Sequence, residues 1–304
     1  MRGKTSAYKH ANKRRLAAVC LTVMLALLFV MIPAEVHAAG DAPKVSVAVK
    51  GEGLRVKWSK VKGAATYDVY RSYSRTKGYK RIKKGATGRS LKDVKVASGK
   101  RAYYKVLARN AAGKRLSGSK AASGVIYRVY VETGHGTGID GTWDPGCIWN
   151  GYQEATLMIP ISRATAKYLT ARGVYVYTDA YSGNNRNLRW TVSRLQTLDV
   201  SVMLNIHCDC QEAPSGTMPL YRYSEQRKLA KYLNRGVHKY VNTTNRGLRK
   251  RTDLTTLNDT TNNCVACLFE TGSIKADNWT LRTRYNAYGK GLARGICDYL
   301  GVKW

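Results

Sequence analysis

The sequence predicts an α/β domain preceded by a small antiparallel β-sandwich. The 304 residues are enough for about two domains of ~150 residues each. After residue 127, strand-like and helix-like stretches alternate, whereas the part before it holds only short runs that alternate in polarity. Hydrophobic residues make up 44% of the chain and charged residues 23%. This composition is globular and excludes a largely disordered chain.

Residues 1–38 have the organisation of a secretory signal. Residues 1–15 hold six basic residues and no acid, residues 16–33 are mainly apolar, and small residues precede a predicted cleavage site after Ala38. The alternative is an uncleaved membrane anchor, since the core of about 18 residues is at the lower limit of spanning length. No second apolar run of that length follows, which excludes a polytopic membrane protein.

Positive charge is concentrated directly after this signal. The whole chain has a formal net charge of +33. Residues 39–126 contain 23 Lys and Arg against 4 Asp and Glu, a net charge of +19, whereas residues 127–304 contain 23 against 14, a net charge of +9. A small cationic body attracts polyanions, although a solvated surface would show the same composition. We therefore expect residues 39–126 to bind anionic polymers, with a plain solvated surface as the alternative.

The cationic part has the pattern of a small β-sandwich. Four runs with period-2 alternation, separated by turn residues, predict antiparallel strands at residues 45–51, 54–61, 66–73 and 102–109. Aromatic and small residues recur within and between these runs, at Trp58-Ser59, Gly63-Ala64-Ala65, Tyr67, Val69-Tyr70-Arg71, Asp93, Tyr103-Tyr104-Lys105-Val106 and Ala108. In this arrangement, most of residues 43–126 resembles a fibronectin type III domain of bacterial secreted proteins. The resemblance implies that Trp58 is buried on an inner strand.

The second part has the alternation of an α/β fold. Strands alternating with helices predict a sheet covered by helices, with its ligand at the carboxyl ends of the strands. The predicted strands are Tyr127–Glu132, Val174–Thr178, Val200–His207 and Val265–Glu270, and the predicted helices are Gly151–Arg172, Glu225–Tyr240 and Tyr285–Leu300.

Four titratable side chains are expected at that edge of the sheet. His135 follows the first strand, His207 and Glu270 end two buried strands, and Glu154 stands near the start of the first helix. Two histidines and one carboxylate with an open fourth position make a catalytic zinc site, and the other carboxylate is then free to transfer protons. Each residue alone also has an ordinary explanation, as a loop histidine, a core histidine or a first-turn glutamate. His238, in the middle of a predicted helix, is expected to be structural.

The order of motifs in this part carries a family resemblance. The motifs are Gly134-His135-Gly136, Asp144-Pro145-Gly146, Glu154 at a helix start, Asn205-Ile206-His207 and Phe269-Glu270-Thr271-Gly272. Over about residues 127–301 they resemble the zinc-dependent N-acetylmuramoyl-L-alanine amidases of the amidase-3 family. The resemblance implies a twisted mixed sheet flanked by helices. It also implies Zn²⁺ held by His135, Glu154 and His207, catalysis by Glu270, and peptidoglycan as the substrate.

Some positions depart from the family pattern. Glu132-Thr133 precedes the first Gly-His-Gly motif where the family usually has Asp, and Asp209 stands where the family usually has Asn. Pro160 lies inside the first predicted helix, where it should kink the axis, and the stretch Asn184–Arg194 does not align cleanly. These departures concern contacts with the substrate more than the metal ligands.

Six cysteines follow the signal, and all lie after residue 126. An exported chain with an even number of cysteines usually forms disulfides, although sequence alone does not choose the pairing. The alternative is a structural zinc held by Cys208-x-Cys210 and Cys264-x-x-Cys267. Because Cys208 and Cys210 directly follow His207, whatever they bind is expected to brace that histidine.

The sequence therefore predicts a secreted, wall-associated zinc amidase with a basic module at residues 39–126 and a catalytic domain at residues 127–304. Peptidoglycan and anionic wall polymers are the expected partners, with a membrane involved only if the signal stays uncleaved. A catalytically inactive wall-binding or adhesion protein is the alternative, which the intact set of four site residues disfavours. A nucleic-acid binder is a third hypothesis, suggested only by charge. The lack of a known nucleic-acid motif and the predicted export signal argue against it, so no nucleic acid is expected among the partners.

Overall fold

The computed structural model describes residues 41–183, 185–259 and 264–304. The predicted export signal at residues 1–38 lies outside the described residues. Within them, no helix combines the length and apolar character needed to span a bilayer. Residues 42–304 cluster as one unit, so the cationic part and the α/β part contact each other directly.

The cationic part consists of eight strands in two antiparallel sheets. The strands are β1 Val45–Lys50, β2 Gly53–Trp58, β3 Thr66–Ser72, β4 Lys80–Ala86, β5 Ser90–Asp93, β6 Ala102–Arg109, β7 Arg115–Gly118 and β8 Ala122–Gly124. The first sheet has the order β1-β2-β5, and the second has the order β4-β3-β6-β7, with β8 also paired to β6. Strand β6 has the predicted bounds, β1 and β3 lie within their predicted runs, and β2 overlaps its run. Strand β4, which carries four cations, was not predicted.

A shared core joins the two sheets of this part. Trp58 on β2 is 4% exposed, and its ring centroid lies 5.7 Å from that of Tyr67 on β3. Tyr104 and Val106 on β6 are fully buried in the same cluster. The predicted burial of Trp58 is therefore confirmed. The tyrosine hydroxyls that this core buries have partners, since Tyr67 accepts a hydrogen bond from the Val61 amide and Tyr104 donates one to Asp93.

The α/β part is built on a mixed sheet of six strands in the order β14-β9-β15-β18-β16-β17. The four neighbouring strands β14, β9, β15 and β18 pair in parallel, and β16 pairs antiparallel to β18. The mixed α/β class is thus confirmed. The strands of this part are β9 Arg128–Thr133, β10 Gly136–Thr137, β11 Trp143–Asp144, β12 Ile148–Trp149, β13 Tyr152–Gln153, β14 Tyr175–Thr178, β15 Val202–Asp209, β16 Met218–Tyr221, β17 Arg249–Lys250 and β18 Val265–Ser273.

Helices cover both faces of this sheet. The helices are α1 Glu154–Thr170, α2 Leu188–Leu195, α3 Ser224–His238, α4 Thr255–Asn258, α5 Asn278–Thr283 and α6 Tyr285–Leu300. On one face α6 packs against both α1 and α3, and a core of mainly aliphatic residues fills the space between them and the strands. On the other face α2 and α4 contribute Leu195 and Leu257 to a second cluster with Met203 and Leu268.

Arg128, the first residue of β9, connects the α/β part to the cationic part through hydrogen bonds. Its side chain is 5% exposed and donates hydrogen bonds to the backbone carbonyls of Glu52, Val94 and Val96 at 2.7–3.2 Å. It also pairs with Asp199 at 3.1 Å. A buried guanidinium without these acceptors would be strongly destabilising, so the interface is a fixed feature of the fold.

Candidate metal centre

Three of the predicted site residues converge at the carboxyl edge of the sheet. His135 follows β9, Glu154 is the first residue of α1, and His207 lies in β15. Nε2 of His135 is 3.2 Å from Oε2 of Glu154, and Nδ1 of His207 is 2.8 Å from Oε1 of the same carboxylate. One ligand atom from each residue lies within 4.8 Å of the others, a grouping suited to a metal ion.

Two glycines allow this close packing. A Cβ on Gly134 would lie 2.6 Å from the ring of His207. A Cβ on Gly146 would lie 2.5 Å from Cδ2 of His135 and 2.7 Å from Oε2 of Glu154, and its φ of +66° also favours glycine. His135 itself adopts a positive φ of 63°. The Gly-His-Gly motif and the glycine of Asp-Pro-Gly are therefore explained by the space that the three side chains require.

Asp144 orients His135. Its Oδ2 accepts a hydrogen bond from Nδ1 of His135 at 2.8 Å, and its Oδ1 accepts one from the amide of Gly146 at 2.9 Å. A carboxylate on one ring nitrogen fixes the tautomer and leaves the other nitrogen, here Nε2, available to bind a metal ion. The sequence places Asp144 in a family motif but does not indicate this role.

Glu154 is held in its ionised form. The side chain is 2% exposed, and it accepts hydrogen bonds from the amides of Cys147 and Cys208 at 3.1 and 3.0 Å. Burial alone would raise the pKa of Glu154, but hydrogen bonds and positive charge from His135 and His207 outweigh it and hold the pKa well below its ordinary value. An ionised carboxylate is the form that binds a cation.

Glu270 provides a second carboxyl group beside this cluster. It lies on β18 at the same level as His207 on β15. Burial and the negative charges of Asp209 and Glu154 raise the pKa of Glu270 well above its ordinary value. Its Oε2 is buried and has no hydrogen-bond partner among the described residues. A buried carboxyl oxygen without a partner is a costly arrangement, which is expected where a substrate or an activated water binds.

Comparison with known protein families agrees with this geometry. A model of the Amidase_3 family, described as N-acetylmuramoyl-L-alanine amidase, matches residues 129–300, more than half of the chain. The chain belongs to this family. It is an N-acetylmuramoyl-L-alanine amidase, an enzyme that hydrolyses the amide bond between the muramoyl group and L-alanine of peptidoglycan. The predicted activity is therefore confirmed.

Solved structures show the same fold for the catalytic part of this amidase. AmiC2 of Nostoc punctiforme shares 24% identity over 58% of this chain and 97% of its own, with a TM-score of 0.51. The catalytic domain of CwlV from Bacillus (Paenibacillus) polymyxa shares 23% over 58% and 99%, also with a TM-score of 0.51. An amidase from Clostridium difficile 630 shares 18% over 59% and 99%, with a TM-score of 0.50. No protein with a curated description matches the chain.

Two of the positions that depart from the family pattern, Glu132 and Asp209, have polar partners in this amidase. Glu132 lies in a cavity of about 240 Å³ together with His135 and His207, where it accepts a hydrogen bond from Asn205. Burial, with the negative charge of Asp179, raises the pKa of Glu132 well above its ordinary value. Asp209 pairs with Arg246 at 2.6 Å. Glu132 and Asp209 are therefore each accommodated by a polar neighbour.

The remaining histidine of the described part lies outside the metal centre. His238 shares a hydrogen bond of 2.9 Å with the hydroxyl of Thr217, and its burial lowers its pKa. This contact agrees with the structural role predicted for His238. In the poorly aligned stretch 184–194, Asn187 caps α2 by accepting a hydrogen bond from the amide of Trp190.

The cysteines differ from the expectation of general disulfide pairing. One disulfide joins Cys147 to Cys210, and Cys208, Cys264, Cys267 and Cys297 are buried free thiols. The expected disulfide formation is therefore confirmed for one pair and wrong for the other four cysteines, because these four side chains lie in the core, where they pack as small apolar groups. The alternative, a zinc held by both cysteine pairs, also fails, since Cys210 is committed to the disulfide. Within residues 41–183, 185–259 and 264–304, only the His135, Glu154 and His207 group has the geometry of a metal site.

Proposed function

We propose that this amidase is an exported, zinc-dependent enzyme of the bacterial cell wall. In this proposal His135, Glu154 and His207 hold the zinc ion and Glu270 moves the proton. The observation that carries it is the convergence of two imidazoles and an ionised carboxylate beside a buried carboxyl oxygen without a partner.

The chemistry of the donor set fits zinc. Two imidazole nitrogens and one carboxylate oxygen are a set that catalytic zinc sites use, with the fourth position left to water or substrate. Asp144 supports His135 in the manner found for metal-bound histidines. Bound zinc lowers the pKa of a water molecule to about 7 and polarises a carbonyl oxygen.

Glu270 is suited to both proton transfers that amide hydrolysis requires. As a base it accepts a proton from the attacking water, and the water oxygen forms the new bond to the carbonyl carbon. As an acid it then donates that proton to the departing nitrogen of L-alanine, which is a poor leaving group while it is unprotonated. A raised pKa helps Glu270 to keep the proton between the two transfers, so that the proton reaches the departing nitrogen and is not lost to bulk water.

The cationic part is proposed to be a fibronectin type III-like module that attracts anionic wall polymers. Strand β4 supports this proposal, because Lys80, Arg81, Lys83 and Lys84 are all exposed along a sheet edge. The export signal predicted at residues 1–38 supports a location outside the cell, at the wall.

The alternative, an inactive wall-binding protein, is disfavoured because all four site residues are present and assembled. A digest of purified peptidoglycan decides between the two proposals. New L-alanine amino termini that appear with zinc, vanish after chelation and return when zinc is restored would support the zinc enzyme. Full activity of protein shown by elemental analysis to contain no metal would contradict the zinc proposal.

A further inference from the structure

The turn formed by residues 144–147 holds two of the three metal-ligating side chains. Asp144 fixes the ring of His135, and the carbonyl of Pro145 accepts a hydrogen bond from the amide of Ala155 at 3.0 Å. The carbonyl of Cys147 accepts a hydrogen bond from the amide of Glu154 at 2.9 Å, while the amide of Cys147 donates to the Glu154 carboxylate. The start of α1 is therefore tied to this turn at both its backbone and its side chain.

A second segment, residues 207–210, holds the other side of the same carboxylate. His207 contacts Oε1 of Glu154, and the amide of Cys208 donates to that oxygen. The carbonyl of Cys210 accepts a hydrogen bond from the hydroxyl of Ser273, which anchors the end of the segment to β18. The two oxygens of Glu154 are thus each held by an amide, one from each segment.

The disulfide between Cys147 and Cys210 joins these two segments, which are 63 residues apart in the sequence. We infer that this disulfide is a positioning device for the metal centre, and that its reduction by a dithiol weakens metal binding. The inference rests on the proposed metal role of His135, Glu154 and His207. Without the disulfide, the turn that carries Cys147 is free to move away from the carboxylate and from His135.

Among the described cysteines, the two that form this disulfide are the ones accessible to a reductant in solution. Cys210 is exposed and Cys147 is partly exposed. The four free thiols are buried, so a reductant or another thiol in solution does not reach them. Thiol–disulfide exchange at the metal centre therefore involves this pair alone among the described cysteines.

The reduction is a balanced two-electron exchange. A thiolate of the dithiol attacks one sulfur of the pair, and the S–S bond breaks to release the other sulfur as a thiolate, which takes up a proton. The second thiol of the reductant then displaces the remaining cysteine. The products are two cysteine thiols in the protein and one cyclic disulfide of the reductant.

The test compares zinc affinity, measured by competition with a chromophoric chelator, in the oxidised and the dithiol-reduced protein. We expect reduction to weaken zinc binding roughly 10–100-fold, the range found when groups that support metal ligands are removed. The double variant Cys147→Ser/Cys210→Ser should show the weaker affinity without reductant and should not respond to it. Cys264→Ala, which leaves the disulfide intact, should respond like the wild type.

Circular dichroism of the metal-free forms separates this role from general stabilisation. If the disulfide only stabilises the fold, its reduction lowers the unfolding temperature and leaves the zinc affinity of the folded protein unchanged. That result, obtained with both cysteines shown by mass spectrometry to be reduced, would overturn the inference even if the double variant fails to fold. If the oxidised wild type binds no zinc, the proposed metal role fails instead.

Discussion

His207 and Glu270 lie opposite each other in the parallel pairing of β15 and β18. One residue carries a nitrogen proposed to bind the metal, and the other carries the carboxyl group proposed to transfer protons. Because partners in a sheet are fixed by backbone hydrogen bonds, the relative position of these two groups does not depend on a mobile loop. The spacing between the proposed metal ligand and the proposed proton carrier is thus a property of the sheet itself.

The first prediction follows from that arrangement. Glu270→Gln preserves the size of the side chain but removes its capacity to accept a proton. We expect the variant to bind zinc as the wild type does and to lose roughly 10²–10⁴-fold in turnover of soluble muropeptides. Elemental analysis gives the zinc content, and chromatography of the released peptides gives the rate. Turnover close to that of the wild type would show that another group moves the proton.

The second prediction concerns the metal ligands. His207→Ala removes one of the three donors, so we expect both zinc and activity to be lost after dialysis. His238→Ala is the matched control, because His238 is also a partly buried histidine and bonds only to Thr217 among the described contacts. The control should keep about one zinc per chain and its activity. Equal zinc content in the two variants would contradict the ligand assignment.

The third prediction is a pH effect on the metal-free protein. Burial opposes the charged form of His135, but hydrogen bonds and negative charge from Glu154 and Asp144 outweigh it and raise its pKa to about 9. A pKa raised above the ordinary value of about 6.5 stabilises the fold below pH ~6.5, and this stabilisation is lost as pH rises through about 9. Glu154, whose pKa is lowered, loses its contribution only in acid.

Thermal unfolding across this pH window checks the effect. The unfolding temperature of the metal-free wild type should fall more steeply between pH ~6.5 and ~9 than that of His135→Asn. Asparagine is the appropriate replacement because it tolerates the positive φ of 63° at this position. Parallel curves for the two proteins would mean that His135 is not protonated in the metal-free fold.

The sequence predicts elements with a clear apolar period well. Strand Ala102–Arg109 and helix Tyr285–Leu300 have the predicted bounds, because alternate residues and one helical face respectively are buried. Strand β4 escapes prediction, since its sequence KRIKKGA has no apolar alternation and it pairs only as the edge of a sheet. The order of strands along the chain does predict that His135, His207 and Glu270 meet, because parallel strands bring their carboxyl ends together.

Contacts between distant segments are harder to predict. The pairing of Cys147 with Cys210 depends on two loops meeting around Glu154, and the count of cysteines carries no information about that meeting. From the sequence, Arg128 cannot be distinguished from a surface cation of a basic chain. In the fold its guanidinium donates hydrogen bonds to the carbonyls of Glu52, Val94 and Val96, which only the folded chain brings together. Such roles depend on geometry that composition and period do not contain.

The last prediction concerns the cationic strand. Deleting residues 39–126 is a poor test of its role, because deletion would leave the buried guanidinium of Arg128 without its carbonyl acceptors. Replacing Lys80, Lys83 and Lys84 by Gln removes three exposed charges from β4 and leaves that interface intact. We expect the triple variant to hydrolyse soluble muropeptides at the wild-type rate and to adsorb more weakly to intact walls.

Salt and a matched variant complete this test. Exposed charges are screened over about 8 Å at physiological ionic strength, so the difference in adsorption should shrink as salt rises. The control replaces three exposed lysines of the catalytic part, Lys231, Lys239 and Lys303, by Gln and so removes the same charge. If charge position matters, this control adsorbs more strongly than the β4 variant, and stripping anionic polymers from the walls abolishes the difference. Equal adsorption of the two variants at every salt concentration would mean that net charge alone, and not β4, draws the amidase to the wall.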